Sequence, residues 1–240
     1  MQQHVNANKE LIVSTDDVLH MLDSFLREAA PWWDAFYADR TRDIPFFVDA
    51  PDENLRSYCE TGMIRPSRVL ELGCGPGRNA IYLAQQGCHM DAVDLSREAI
   101  DWAIERAHAA AVHINFQCAN LFDANIEPQH YDFIYDSGCF HHIAPHRRMD
   151  FVELIRNALK TGSYFGLTCF AHGEGYGAEI SDWEVYRQKS LKGGLAYTEK
   201  KLRQIFADFE VVEFRRMNKI MQPAASFGES FLWTVLFRLK

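Results

Sequence analysis

A doubly wound α/β sheet of seven strands, preceded by a helical segment, is the fold class that this 240-residue sequence predicts. Three observations predict it. From residue 68 onward, short runs rich in apolar and β-branched residues alternate with helix-length stretches, as in a mostly parallel sheet with crossover helices. The first run, Val69-Leu70-Glu71-Leu72, breaks into the alternating glycines of Gly73-Cys74-Gly75-Pro76-Gly77. The second, His89-Met90-Asp91-Ala92-Val93-Asp94, ends on an acid 17 residues after Gly77. An apolar strand feeding a glycine turn lets a ligand lie against bare backbone, because no Cβ atoms intervene.

Each element follows in order. Residues 68–72 are the first strand, 77–86 a helix, 89–94 the second strand, 97–111 a helix and 114–118 the third strand. Residues 131–136 are the fourth strand, 147–160 a helix and 163–170 the fifth strand. Thr198 is a suitable N-cap for a helix over 198–207. Residues 209–217 and 230–239 close the chain as two strands, and their short connection suits an antiparallel final strand inserted at one side of the sheet. Ahead of the sheet, residues 1–60 form a helical cap. Ser14-Thr15-Asp16-Asp17 opens it, with Val18, Leu19, Leu22, Phe25 and Leu26 at helical spacing.

Composition narrows the function. The formal net charge of −8 argues against a nucleic-acid partner, which calls for a basic patch. Six cysteines (Cys59, Cys74, Cys88, Cys118, Cys139, Cys169) occur without a C-x-x-C pair and read as reduced thiols of a cytoplasmic protein. No run is apolar enough to span a membrane, and residues 1–11 are polar rather than leader-like. His141, His142 and His146 lack the carboxylates of a hard divalent site, so no metal is expected.

The glycine spacing separates two cofactor types. A dinucleotide fingerprint requires Gly-x-Gly-x-x-Gly, whereas here Arg78 stands at the third-glycine position. The segment Glu71-x-Gly73-x-Gly75-x-Gly77 instead resembles the first motif of the class I S-adenosylmethionine-dependent methyltransferases. The resemblance extends over about residues 60–240. It implies a Rossmann-like seven-stranded domain over 61–240 that binds S-adenosylmethionine and releases S-adenosylhomocysteine. It also implies that Glu71 orients the turn and engages the methionine amino end, and that the glycines admit the cofactor. Asp94 accepts from the ribose hydroxyls. After the third strand, Asn120 stands where relatives carry an acid toward the adenine. Asp123 is the alternative for that contact, and a purely turn-forming Asn120 is the other. Leu95 and Leu121 complete the cofactor side, and Asp136 either holds its loop or faces the sulfonium end.

The acceptor side is read from residue type. His141 and His142 follow the fourth strand. One of them is a candidate general base, and the competing reading is that the pair orders the loop. Trp32, Trp33, Phe36 and Tyr37 are either core filler or a lid over an apolar acceptor pocket. The tryptophan-bearing stretch looks like the segment preceding the sheet in thiopurine and tellurite methyltransferases. The glycine-bracketed insertion 172–197 is either a substrate wall or a surface excursion, with His172, Trp183 and Tyr186 as its candidate pocket residues. The expected activity is methyl transfer to O, N or S of a small apolar or aromatic acceptor. A protein or peptide methyltransferase, a propylamine transferase and a non-catalytic S-adenosylmethionine-binding regulator are the alternatives.

Overall fold

The structure, a computed structural model, describes residues 11–221 and 225–240. The reading of the chain's polar start falls on residues 1–10, outside the described residues. Seven strands form one sheet: β1 (Arg68–Leu72), β2 (His89–Asp94), β3 (Ile114–Cys118), β4 (Tyr131–Ser137), β5 (Leu159–Phe170), β6 (Phe209–Arg216) and β7 (Leu232–Leu239). Their order is β3-β2-β1-β4-β5-β7-β6. The first five run parallel, and β7 lies antiparallel between β5 and β6. Reversal of order on the two sides of β1 and β4 makes a switch point, and ligands of such sheets bind beyond the strand C-termini there.

Alternation along the strands buries both faces. Leu70, Leu72 and Ile134 enter one core with Phe151 and Ile155 of α6 (Arg148–Ala158) and Leu202 of α8 (Glu199–Ile205). Val69, Ala92, Phe133 and Tyr135 enter the other. There they meet α3 (Glu53–Glu60), α4 (Arg78–Gln85) and α5 (Arg97–Ala109) through Leu55, Leu83 and Ile100. Each fully buried large side chain of this kind contributes roughly 2–3 kcal/mol.

The helical segment ahead of the sheet contains α1 (Thr15–Asp23), α2 (Ala29–Ala38) and α3. Ser14 caps α1 in a reciprocal box: its hydroxyl accepts from Asp17 N–H, and Asp17 accepts from Ser14 N–H at 3.0 Å. Asp23 fastens the helix to the loop before α6, accepting from Arg147 and facing His146 Nε2 at 2.8 Å. Burial raises the Asp23 pKa, but these two partners outweigh it and bring the carboxyl down to about 2.

Boundaries move where long-range pairing overrides local pattern. Strand β5 starts at Leu159 rather than 163, because Leu159 pairs with Tyr131 across an irregularity before Phe133. The insertion carries helix α7 (Asp182–Arg187), and Lys189 with φ +50° follows it. No helix of the described residues is long and apolar enough to cross a membrane.

Candidate active site

Strand β1 delivers Glu71 and the glycine turn to the switch point. Gly73 has φ +65°, and a Cβ there would lie 2.5 Å from Cys139 Cβ. The glycine is therefore required twice, by its backbone and by the close approach of the loop after β4. Gly75 lines a cavity above the turn, whereas Gly77 faces away from it, with Ala103 of α5 3.1 Å from where its Cβ would be. Of the three motif glycines, the last thus serves helix packing.

Asp94, at the end of β2, braces this turn. One carboxylate oxygen accepts from Gly75 N–H at 2.8 Å and the other from Ser96 N–H at 2.8 Å. Burial pushes its pKa up while these amides pull it down. A carboxylate has about four acceptor sites, so lone pairs remain for further donors. Glu71 is 1% exposed, and burial pushes it up to about 8 against the pull of Arg78 and Asn79. Its Oε2 has no hydrogen-bond partner among the described residues, and neither does Oδ2 of Asp136. Asp136 Oδ1 accepts from Cys139 N–H at 2.9 Å, and burial raises this carboxyl to about 7. Asp136 thus holds its loop and does not line the cavity.

A buried polar network unread in the sequence ties the preceding segment to the turn. Arg78 donates to Asp52 Oδ1 (2.6 Å), Ser137 Oγ (3.1 Å) and Ala50 carbonyl (3.2 Å). Tyr135 donates to Asp52 Oδ2 at 2.7 Å, and Asn79 Oδ1 accepts from Asp52 N–H at 2.9 Å. Asp52 precedes a helix and reads locally as a cap. Nothing in the sequence pairs it with Arg78.

The cavity measures about 450 Å³. Glu71, Gly73, Cys74, Gly75, Asp94, Leu95, Asn120 and Leu121 form its floor and one wall. Asn120 Oδ1 accepts from Phe122 N–H at 3.1 Å, so the residue turns the chain and still borders the cavity. Asp123, the alternative, is exposed and outside it.

Helix α2 supplies the roof. Trp32, Trp33, Phe36 and Tyr37 line the cavity and pack ring against ring, with Tyr37 stacked on Phe47 at 5.8 Å and Phe36 on Phe46 at 6.1 Å. Asp34 latches this roof to the start of α5, accepting from Ser96 Oγ at 2.7 Å. His141 and His142 both border the cavity. Burial pushes His141 well below its usual pKa and, with the charge of Arg27, lowers His142 to about 3.

The insertion contributes different residues from those its composition suggests. Tyr176 and Gly193 line the cavity, together with Phe170 and Phe231. His172 faces Glu179 at 3.2 Å, and Tyr186 hydroxyl accepts from His146 N–H at 3.0 Å. Trp183 is 77% exposed on another face. None of these three borders the cavity.

Comparison with known proteins agrees with this geometry. A methyltransferase-domain family model matches residues 69–162. An uncharacterised methyltransferase of Schizosaccharomyces pombe is 29% identical over 123 residues, 51% of this chain and 83% of the relative. A probable S-adenosyl-L-methionine-dependent methyltransferase, TehB, of Haemophilus influenzae is 25% identical over 63% of this chain, which spans 49% of that relative. In fold, the chain is similar to the Burkholderia thailandensis 1,6-didemethyltoxoflavin-N1-methyltransferase solved with S-adenosylhomocysteine. That likeness has a TM-score of 0.63 at 20% identity and covers 99% of this chain and 98% of the other.

Residues 69–162 are thus a methyltransferase domain, and the sheet order, the glycine turn and the likenesses around it are those of class I S-adenosylmethionine-dependent methyltransferases. The residues present fit that cofactor. The unpartnered oxygen of Glu71 offers an acceptor to an ammonium group, and Glu71, Gly73 and Gly75 line the cavity together.

Proposed function

We propose that the methyl group passes to an oxygen, nitrogen or sulfur of a small, apolar or aromatic acceptor held between the glycine turn and the aromatic roof. The observation that carries this reading is the continuity of the cavity, whose floor has the cofactor-type residues and whose remaining wall is rich in aromatic rings, with Ser137, Thr168, His141 and His142 among its polar groups. Its volume lies in the range of small-molecule sites. A peptide acceptor calls for an open groove instead. The neighbour solved with 1,6-didemethyltoxoflavin supports a heteroaromatic acceptor, and the net charge of −8 favours a small molecule over nucleic acid in a cytoplasmic setting.

When bound, the cofactor supplies a sulfonium methyl that is already strongly electrophilic. The chain's own task is binding, alignment and exclusion of water. Glu71 takes the methionine amino end, Asp94 takes the ribose through its free lone pairs, and Asn120, Leu95 and Leu121 flank the adenine. Trp33, Phe36 and Tyr37 close the roof and offer π faces to a cation. In this reading residues 61–240 are the catalytic unit and 1–60 its cap. The test is transfer from isotopically labelled S-adenosylmethionine to thiols, phenols, heteroaromatic amines and oxyanions such as tellurite. One responsive aromatic class is expected. Silence across the panel, with cofactor binding confirmed in the same samples, overturns the reading in favour of a non-catalytic role.

A further inference from the structure

His141 and His142 are adjacent and both border the cavity, yet their surroundings differ. The ring of His141 stacks on Phe170 at 3.9 Å and 16°, and the backbone N–H of Phe170 donates to its Nδ1 at 3.3 Å. A Cβ on Gly194 would come within 2.9 Å of its Cδ2, so the ring is confined on that edge as well. The carbonyl of His141 accepts from Leu195 N–H at 2.8 Å, which fixes the backbone beneath the ring. An amide N–H only donates. Nδ1 must therefore present its lone pair, and in a neutral imidazole the proton then resides on Nε2. Burial supports the neutral form. Nε2 lies on the edge beside Gly138, 3.9 Å from where that residue's Cβ would be, and has no protein partner among the described residues.

We infer that His141 is a fixed Nε2–H donor into the cavity, so that it positions the acceptor through a lone-pair-bearing atom and takes no proton from it. This rests on the proposed small-molecule reading and sharpens it: the acceptor is an aromatic compound carrying a carbonyl oxygen or an sp² ring nitrogen besides the atom that is methylated. A ring whose only open nitrogen already bears hydrogen has no lone pair there for a proton. His142 is the contrasting neighbour. It meets Trp33 edge-on at 4.8 Å, and neither of its nitrogens has a protein partner among the described residues, so its tautomer is unconstrained.

Two measurements on the full chain test this. Nitrogen-15 NMR of the histidine side chains, with His141 assigned by its loss in His141→Phe, reads the tautomer without any acceptor. An Nε2–H signal is expected at neutral pH; an Nδ1–H tautomer or an imidazolium overturns the inference. The second uses hydroxyquinoline and hydroxyisoquinoline isomers, which place a ring nitrogen at successive positions, against 1-naphthol, which has the same skeleton without it. Binding is measured by calorimetry with S-adenosylhomocysteine present. At least one isomer should bind about tenfold more tightly than 1-naphthol, and His141→Phe, which keeps an aromatic ring on Phe170, should remove that advantage. No advantage for any isomer, or an advantage that survives the substitution, overturns it. Absence of methyl transfer with the tautomer as expected would instead count against the proposed activity alone.

Discussion

Below the cavity the chain places its functional atoms with backbone hydrogen bonds: Asp94 between the amides of Gly75 and Ser96, Asp136 on the amide of Cys139. Above it, position comes from rings packed on rings along α2, with one polar latch at Asp34. The difference teaches where tolerance lies. A floor built on amides depends on turn conformation and on buried carboxylates, so changes there should reach stability and cofactor affinity. A roof built on ring shape can be recut with little loss to the sheet.

The sharpest way to break the floor is Gly73→Ala. It adds a side chain at φ +65° and drives it into Cys139 Cβ, an atom one bond from the backbone that cannot swing aside. A loss of about 3 kcal/mol or more in urea unfolding is expected; an unchanged midpoint would refute the described turn. Glu71→Gln acts in the opposite direction on stability. Folding raises this carboxyl from 4.5 to about 8, so between those values the folded state binds the proton that the unfolded state has lost. Wild-type stability therefore falls as pH rises across that window, by on the order of 4 kcal/mol in total. The amide variant should escape this fall. Its melting temperature should exceed the wild type's at pH 8–9 and match it near pH 4; parallel pH profiles would contradict the buried-acid description.

Asp94→Ala should weaken binding of S-adenosylhomocysteine by roughly 1.5–3 kcal/mol by calorimetry, the scale of lost charge-assisted hydrogen bonds. Unchanged affinity would remove Asp94 from the ribose site. The smallest effect belongs to the roof. Asp34→Ala deletes the bond to Ser96 Oγ at a cost of about 1 kcal/mol. Hydrogen exchange should quicken in Ala29–Ala38 while β1 and β4 keep their protection; equal rates in α2 would show that the rings alone hold the roof.

What was legible in the sequence follows the same division. Strands β1 to β4, the glycine turn and the positions of Glu71 and Asp94 could be read because each is a short-range backbone pattern, and the alternation of strands and helices gave the doubly wound class, while the strand order comes from the structure. Pairings such as Arg78 with Asp52, or Asp34 with Ser96, join residues 26 and 62 apart and leave no local signal. Trp183 and Tyr186 drew notice by residue type, but α7 has only 6 residues, too few for a helical period to say which face turns inward. Tyr176 and Phe231 reach the cavity instead, from loops whose course is set by tertiary contacts. The role of Gly77 was misread for a related reason: the motif shows that a Cβ is excluded, and only packing shows that α5 excludes it.

The floor also carries two thiols, Cys74 and Cys139, in the wall of a compartment built for an alkylating agent. Thiolates are the side chains such a reagent attacks most readily, and thiols far less so. Burial, reinforced by Asp94 beside Cys74 and by Asp136 beside Cys139, pushes both pKa values well above their usual range and keeps the sulfurs protonated. The buried carboxylates Asp94 and Asp136 thereby make both thiols poor nucleophiles toward such a reagent. Long incubation with S-adenosylmethionine and no acceptor should leave the intact mass unchanged, and a methyl group mapped to Cys139 would show that this protection fails.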